Sequence, residues 1–171
     1  SLIQGKFSIG DEIEIKPGLQ NEKKKNYQSI HTEIVSLGTG AGIVDVVKPG
    51  GLVAIGTKLD PSLTRSDSLI GSVIGKPDTL PENSTGAKLQ VHLFDTAVGS
   101  AGETKVTPIK VDELLRVSVG TAPVPAKVTK VTSDNIEIEF KRPVCIFAKG
   151  SVALSRRIAE RWRLIGAGVI D

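Results

Sequence analysis

The apolar positions of this chain recur mostly at every second residue. In GKFSIGDEIEIKPG, Phe7, Ile9, Ile13 and Ile15 alternate with polar residues, and Gly10-Asp11 reads as a turn between two short strands. The same period puts Leu89, Val91 and Leu93 on one face of AKLQVHLF. It does likewise for Leu115, Val117 and Val119 in LLRVSVG and for Ile136, Ile138 and Phe140 in NIEIEF. Turn chemistry falls at Lys16-Pro17-Gly18, Pro49-Gly50-Gly51, Lys76-Pro77-Asp78 and Ser133-Asp134-Asn135. Many short strands, punctuated by 18 Gly and 9 Pro, predict an all-β fold of the sandwich or barrel kind. LPENSTGAK (80–88) reads as a linker or long loop between two β-patterned halves. The expected organisation is therefore two β-patterned halves, residues 1–85 and 86–171, each long enough for a barrel of about six or seven strands, with no internal repeat relating them. NEKKKNYQS (21–29) and TAVGSAGETK (96–105) read as polar hairpin loops, the lysine triplet being a solvated tip.

One stretch breaks the period. In SVALSRRIAERWRLIGAGVID (151–171), Leu154, Ile158, Trp162 and Ile165 stand at spacings of four, four and three, a fair helical stripe. Gly166 and Gly168 interrupt its continuation, and the rest of the chain is β-patterned. On period alone, an amphipathic docking helix and a closing pair of strands both remain open. The stretch also carries Arg156, Arg157, Arg161 and Arg163 and the only tryptophan.

Composition narrows the function classes. At 171 residues, 39% hydrophobic and 24% charged, the chain can bury one or two small cores and is not a disordered tail. No apolar run is long enough to span a membrane, so no membrane role is expected, and no secretory signal opens the chain. A start at Ser1 in mid-strand, with no methionine anywhere, points to an earlier part of the protein. A single cysteine, Cys145, fits a reducing, cytoplasmic compartment. His31 and His92 lie too far from other ligand types for a metal spacing.

Net charge is +3, unevenly spread. Residues 141–171 carry seven Lys or Arg against Glu160 and Asp171, a local +5 that leaves −2 for residues 1–140. Such a basic end is the usual look of a phosphate-binding face, and equally of ordinary solvated charge.

Catalytic motifs are missing. There is no G-x-x-x-x-G-K-[ST] loop, and GTGAG (38–42) lacks the helix and βαβ unit a dinucleotide fingerprint requires. Asp11, Glu12 and Glu14 read as the wet face of a hairpin, and no Gly-x-Ser-x-Gly elbow or Cys/His pairing stands out. The chain reads as a binding module with no catalytic site of its own.

Three segments carry a resemblance: GKFSIGDEIEIKPGLQ, KPGGLVAIGTKLDPSLTRSDSLIGSVIGKPDTLP and KRPVCIFAKGSVALSRRIAERWRLIGAGVI. In order and spacing they resemble the gamma-subunit family of translation initiation factor 2 and, more broadly, translational GTPases of the elongation factor Tu kind. The resemblance implies two β-barrels, called domains II and III in that family, with the first strand of domain II upstream of Ser1. GTP and Mg would be bound by an N-terminal domain outside this chain, which itself would hold no cofactor. It further implies initiator tRNA, the alpha and beta subunits of the same factor and the small ribosomal subunit as partners. The aminoacylated 3′ end would lie against IVSLGTG, making Ser36, Leu37 and Gly38 candidate RNA contacts, with Leu37 as a platform or as core. LDPSLTRSDSLIG (59–71) would shape a rim, with Asp60, Thr64, Arg65 and Asp67 in a local network or with Arg65 facing RNA instead. The final stretch becomes two strands, 151–158 and 163–170, around a turn near 159–162. Its arginines, Arg156, Arg157, Arg161 and Arg163, become candidate RNA contacts, since a guanidinium presents a fixed donor fork to phosphate.

Overall fold

The computed structural model describes residues 1–20, 26–99 and 104–171. The chain divides into two compact units: residues 1–69 with 73–80, and residues 70–72 with 81–171. Both are built of strands.

The first unit contains β1 (Phe7–Ser8), β2 (Glu12–Gln20), β3 (Tyr27–Thr39), β4 (Gly42–Val44), β5 (Val46–Val47), β6 (Ala54–Thr57) and β7 (Val73–Gly75). One five-stranded sheet runs β4-β3-β2-β7, with β6 also on β3, and β1 pairs with β5. Alternation explains the core: Ile13, Ile34 and Leu37 point inward with Phe7 and Val47. Each such side chain, once buried, contributes roughly 1.5–3 kcal/mol.

Two expectations for this unit change. Lys16-Pro17-Gly18 does not end a strand: β2 continues to Gln20 through a bulge between Ile15 and Leu19. Gly18 sits there at φ +83°, and a Cβ on it would stand 1.9 Å from the Gln28 carbonyl oxygen, so only glycine lets β3 pass this close. Nor is Glu14 wet. It is 4% exposed, with its carboxylate 3.6 Å from the Lys16 ammonium and accepting from the Asp78 backbone N–H at 3.3 Å. The segment after β7 covers it, and the Lys16 ammonium in turn donates to the Leu80 carbonyl. A charged residue on the polar phase of a strand is buried when a loop lies over that face, which the local period does not encode.

The second unit is a closed six-stranded barrel of β8 (Asn83–Val98), β9 (Leu114–Val119), β10 (Ala122–Val131), β11 (Asn135–Cys145), β12 (Ser151–Ile158) and β13 (Arg161–Ile170). Around the barrel the order is β10-β11-β8-β13-β12-β9. Its core is the inward phase of each strand: Leu89, Leu115, Val117, Val124, Val128, Ile136, Ile138, Phe140, Leu154 and Ile165, among others. Closure removes free sheet edges, so every strand has two neighbours.

Here too a loop expectation gives way. In LPENSTGAK, residues from Asn83 onward are strand, paired with β11 through Asn83 opposite Cys145 and Gly86 opposite Glu139. Polar and small residues hid it. The Ser84 hydroxyl donates to the Gly86 carbonyl, and a Cβ on Gly86 would stand 2.8 Å from the Ile138 oxygen.

The final stretch is a β-hairpin. β12 ends at Ile158 as expected, whereas β13 begins at Arg161, two residues earlier than the sequence implied. The loop is Ala159-Glu160, with φ +46° and +63°. Two consecutive positive φ values are what a two-residue type I′ turn requires, matching the twist of the strands it joins.

Candidate functional site

The hairpin register decides what its arginines can do. Arg156 faces Arg163, Arg157 faces Trp162, and Ile158 faces Arg161. Because side chains alternate, Arg156, Arg161 and Arg163 share one face, while Arg157 and Trp162 share the other with Ser155 and Leu164. A shift between Leu154 and Ser155 leaves Ile165 without a β12 partner, and it sinks fully into the core. The hairpin is thereby anchored at its base and open at its tip.

Arg156 is committed inside the barrel. Its Nε donates to Glu113 Oε1 at 2.5 Å and its Nη2 to Glu113 Oε2 at 3.2 Å. Nη1 donates to the Thr107 carbonyl and hydroxyl at 2.9 and 3.0 Å, and Nη2 to the Pro108 carbonyl at 3.4 Å. Five donors meet five acceptors, which is the full capacity of a guanidinium. Glu113 also accepts from the Lys110 N–H at 3.0 Å. The expected RNA role of Arg156 has no free donor to perform it. Two arginines directly opposite each other repel, and the Glu113 carboxylate offsets that charge for the Arg156–Arg163 pair.

The others are open. Among the described residues Arg157 pairs only with Glu160 across the turn, both well exposed, so water screens that contact. Arg161 is exposed, and Arg163 is half-buried with Nη1 resting over Gly99. Among the described residues neither shows an ion pair. Arg116 stands on the outer face opposite Ser155, also without an ion pair among the described residues. Elsewhere on the basic end the charge is partly neutralised: Asp171 lies 2.9 Å from Lys88 and 3.8 Å from Lys149. The Lys88 hydrogen bond holds the Asp171 carboxyl below its ordinary value and raises Lys88 in return.

The first-unit candidates divide as well. Ser36, Leu37 and Gly38 lie on β3 between β4 and β6. Leu37 is 1% exposed and belongs to the core, so its side chain offers no platform to a base. Ser36 is exposed, its hydroxyl lying over Gly56 where a Cβ would stand 2.2 Å away. Gly38 is opposite Ile43 on one side and Ala54 on the other, and Ile43 is 87% exposed. The outer surface here carries small residues, with the exposed Ile43 and the partly exposed Val35 projecting beside them. The lysine triplet at 23–25 lies outside the described residues.

Within 59–71, Asp60 and Thr64 bond local backbone. Asp60 Oδ1 accepts from the Ser62 N–H at 2.8 Å and caps the 3₁₀ segment Pro61–Asp67, while the Thr64 hydroxyl donates to the Pro61 carbonyl at 3.0 Å. Hydrogen bonds from the Ser62 hydroxyl and backbone hold the Asp60 carboxyl below its ordinary value. Arg65 and Asp67 join no such side-chain bond among the described residues. Asp67 and Ser66 instead take positive φ, at 57° and 53°.

Sequence reasoning missed Glu113 as the partner of Arg156, since 43 residues separate them. It also passed over Trp162 as an exposed residue, 37% accessible on the outer face. The signal available was the aromatic flanked by Arg161 and Arg163.

Comparison with known proteins gives this geometry its setting. The family profile described as "Initiation factor eIF2 gamma, C terminal" matches residues 85–170. Translation initiation factor 2 subunit gamma of Aeropyrum pernix is 50% identical over 99% of this chain, and those of Pyrococcus horikoshii and Methanopyrus kandleri are each 48% identical over 99%. The chain spans 42% of the length of each of these relatives. With a family profile over its barrel and relatives matched along nearly its whole length, the chain belongs to the gamma-subunit family of translation initiation factor 2.

Proposed function

We propose that these two units form the RNA-facing and subunit-docking part of a translation initiation factor. In this reading they act with a GTP-binding domain outside the chain, which holds GTP and Mg, to carry methionylated initiator tRNA to the small ribosomal subunit. The observation that carries the RNA role is the hairpin tip. Arg161 and Arg163 have no ion pair among the described residues, and Arg157 has only a screened one. Arginine forks held by strand pairing rather than by mobile loops are suited to phosphate oxygens. Phosphate contact predicts that the logarithm of affinity falls steeply with the logarithm of salt. The test is binding of methionylated initiator tRNA to the complete GTP-loaded protein across a salt series. Failure to bind under those conditions would end this reading.

A second reading concerns the first unit. Ser36, Gly38, Ala54 and Gly56 make a low-relief face beside the exposed Ile43. That surface favours protein contact, and the alpha or beta subunit of the factor is its proposed occupant. Its affinity should depend weakly on salt, which separates it from the hairpin.

A further inference from the structure

We propose that Trp162 is a stacking platform for an unpaired RNA base, with Arg157 and Arg116 on the same face to hold the flanking phosphates. The inference rests on the RNA reading above and deepens it, by choosing single-stranded over duplex RNA. Four observations support it. Trp162 lies on the outer face of the closed barrel, the face turned away from the core, and is 37% exposed. Its cross-strand partner is Arg157, and Arg116 stands on the same outer face opposite Ser155. The I′ turn and the buried Ile165 hold the hairpin between two fixed points, so the ring is presented by paired strands. Glu160 is the only acid on the hairpin.

Arginines alone would suit a duplex, whose outside is phosphate. An aromatic interleaved with them adds something a duplex cannot use, because paired bases hide their faces in the stack. An unpaired base offers its π-face to any indole, and its neighbouring phosphates then lie within reach of the adjacent cations. A protein-docking hot spot would instead place the tryptophan at the centre of an apolar patch with charge at the rim. Here the cations on the ring's own face are Arg157, directly across the strand pair, and Arg116, on the neighbouring strand opposite Ser155. On the same face Leu164 is only partly exposed and Val98, opposite it on β8, is 56% exposed, so the apolar surface lies to one side of the ring and not around it.

As the only tryptophan of the chain, Trp162 reports its own occupancy. The experiment uses the whole 171-residue chain, an end-labelled hexamer of uridylate, a blunt RNA duplex and polyglutamate. Uridylate should quench the tryptophan emission as it binds, whereas the duplex should bind without doing so. Trp162→Ala should weaken uridylate binding roughly 5- to 100-fold at fixed salt, read from the label, with the salt slope unchanged. Trp162→Phe should retain most of the affinity, and its far-ultraviolet spectrum controls for folding. Emission that stays constant while labelled uridylate binds, or an alanine variant that binds normally, would overturn the stacking role and leave the RNA reading standing. Polyglutamate binding that is lost equally on Trp162→Ala would overturn it in favour of an acidic protein partner. Absence of uridylate binding would overturn the stacking role, while the RNA reading stands or falls on the binding of initiator tRNA to the complete protein.

Discussion

Arg156 and Glu113, 43 residues apart, form a two-pronged ion pair across the second barrel, with side chains only 15% and 19% exposed. The pair ties the segment before β9 to the hairpin, and the Thr107 and Pro108 carbonyls complete the fork. Arg156 is therefore a brace. Arg156→Ala should destabilise the second barrel by about 2–4 kcal/mol, because it leaves the half-buried Glu113 carboxylate without its partner. Arg156→Lys should restore little of this, since an ammonium cannot fill a planar five-donor site. Urea midpoints of the three proteins check both statements.

The hairpin turn is a place where the native sequence is not the most stable one. Ala159 and Glu160 both occupy positive φ, at +46° and +63°. Side chains with a Cβ lose roughly 1 kcal/mol or more in that region, and Asn-Gly is the preferred pair for a type I′ turn. Replacing Ala159-Glu160 with Asn-Gly should stabilise the barrel by about 1 kcal/mol. It also removes the Glu160 carboxylate from Arg157, so RNA affinity at low salt should rise. Thermal midpoints and a binding titration read the two effects separately.

Leu37 distinguishes core from contact in the first unit. Fully buried with Ile13 and Ile34, it should cost about 3 kcal/mol on substitution with Ala, mostly through the cavity left behind. Its contribution to RNA binding should be nil once the fraction folded is accounted for. A tRNA affinity that fell further than the folded fraction would return Leu37 to the interface.

Asp60 gives the first unit an acid-side dependence. Its carboxyl is held below the ordinary Asp value by the Ser62 hydroxyl and backbone N–H. A depressed folded value means the cap's contribution is fully present above the unfolded value of about 4 and is lost as pH falls through the lower folded one. The urea midpoint of the first unit should therefore drop between pH 5 and pH 3, and Asp60→Ala should remove that part of the drop. An identical pH profile for the variant would contradict the capping role.

How much of this was legible in the residues varies by element. Alternation located Ile13, Leu89, Leu115, Val117, Ile136, Ile138 and Phe140 in the cores, because a strand with one dry face writes its orientation directly into the period. The end of the chain was ambiguous on period alone, since the partnerless Ile165 shifts the phase of β13 and produces a false helical spacing. The strand within LPENSTGAK was hidden because its pairing with β11 tolerates Ser, Thr and Gly where a local reading expects a linker. At the candidate site, residue type found the arginines but could not rank them. Ranking depends on Glu113 and on which face each side chain takes, and both are tertiary facts.

The central claim is that phosphate is met by the hairpin's open arginines and not by its brace. The most direct measurement is the salt dependence of RNA affinity for Arg161→Ala, Arg163→Ala and Arg156→Ala, each compared with the unmodified chain. Loss of one phosphate contact lowers the slope of log affinity against log salt by roughly one unit. The account predicts that drop for Arg161→Ala and for Arg163→Ala, and an unchanged slope for the folded fraction of Arg156→Ala. A flattened slope for Arg156→Ala with the other two unchanged would contradict it.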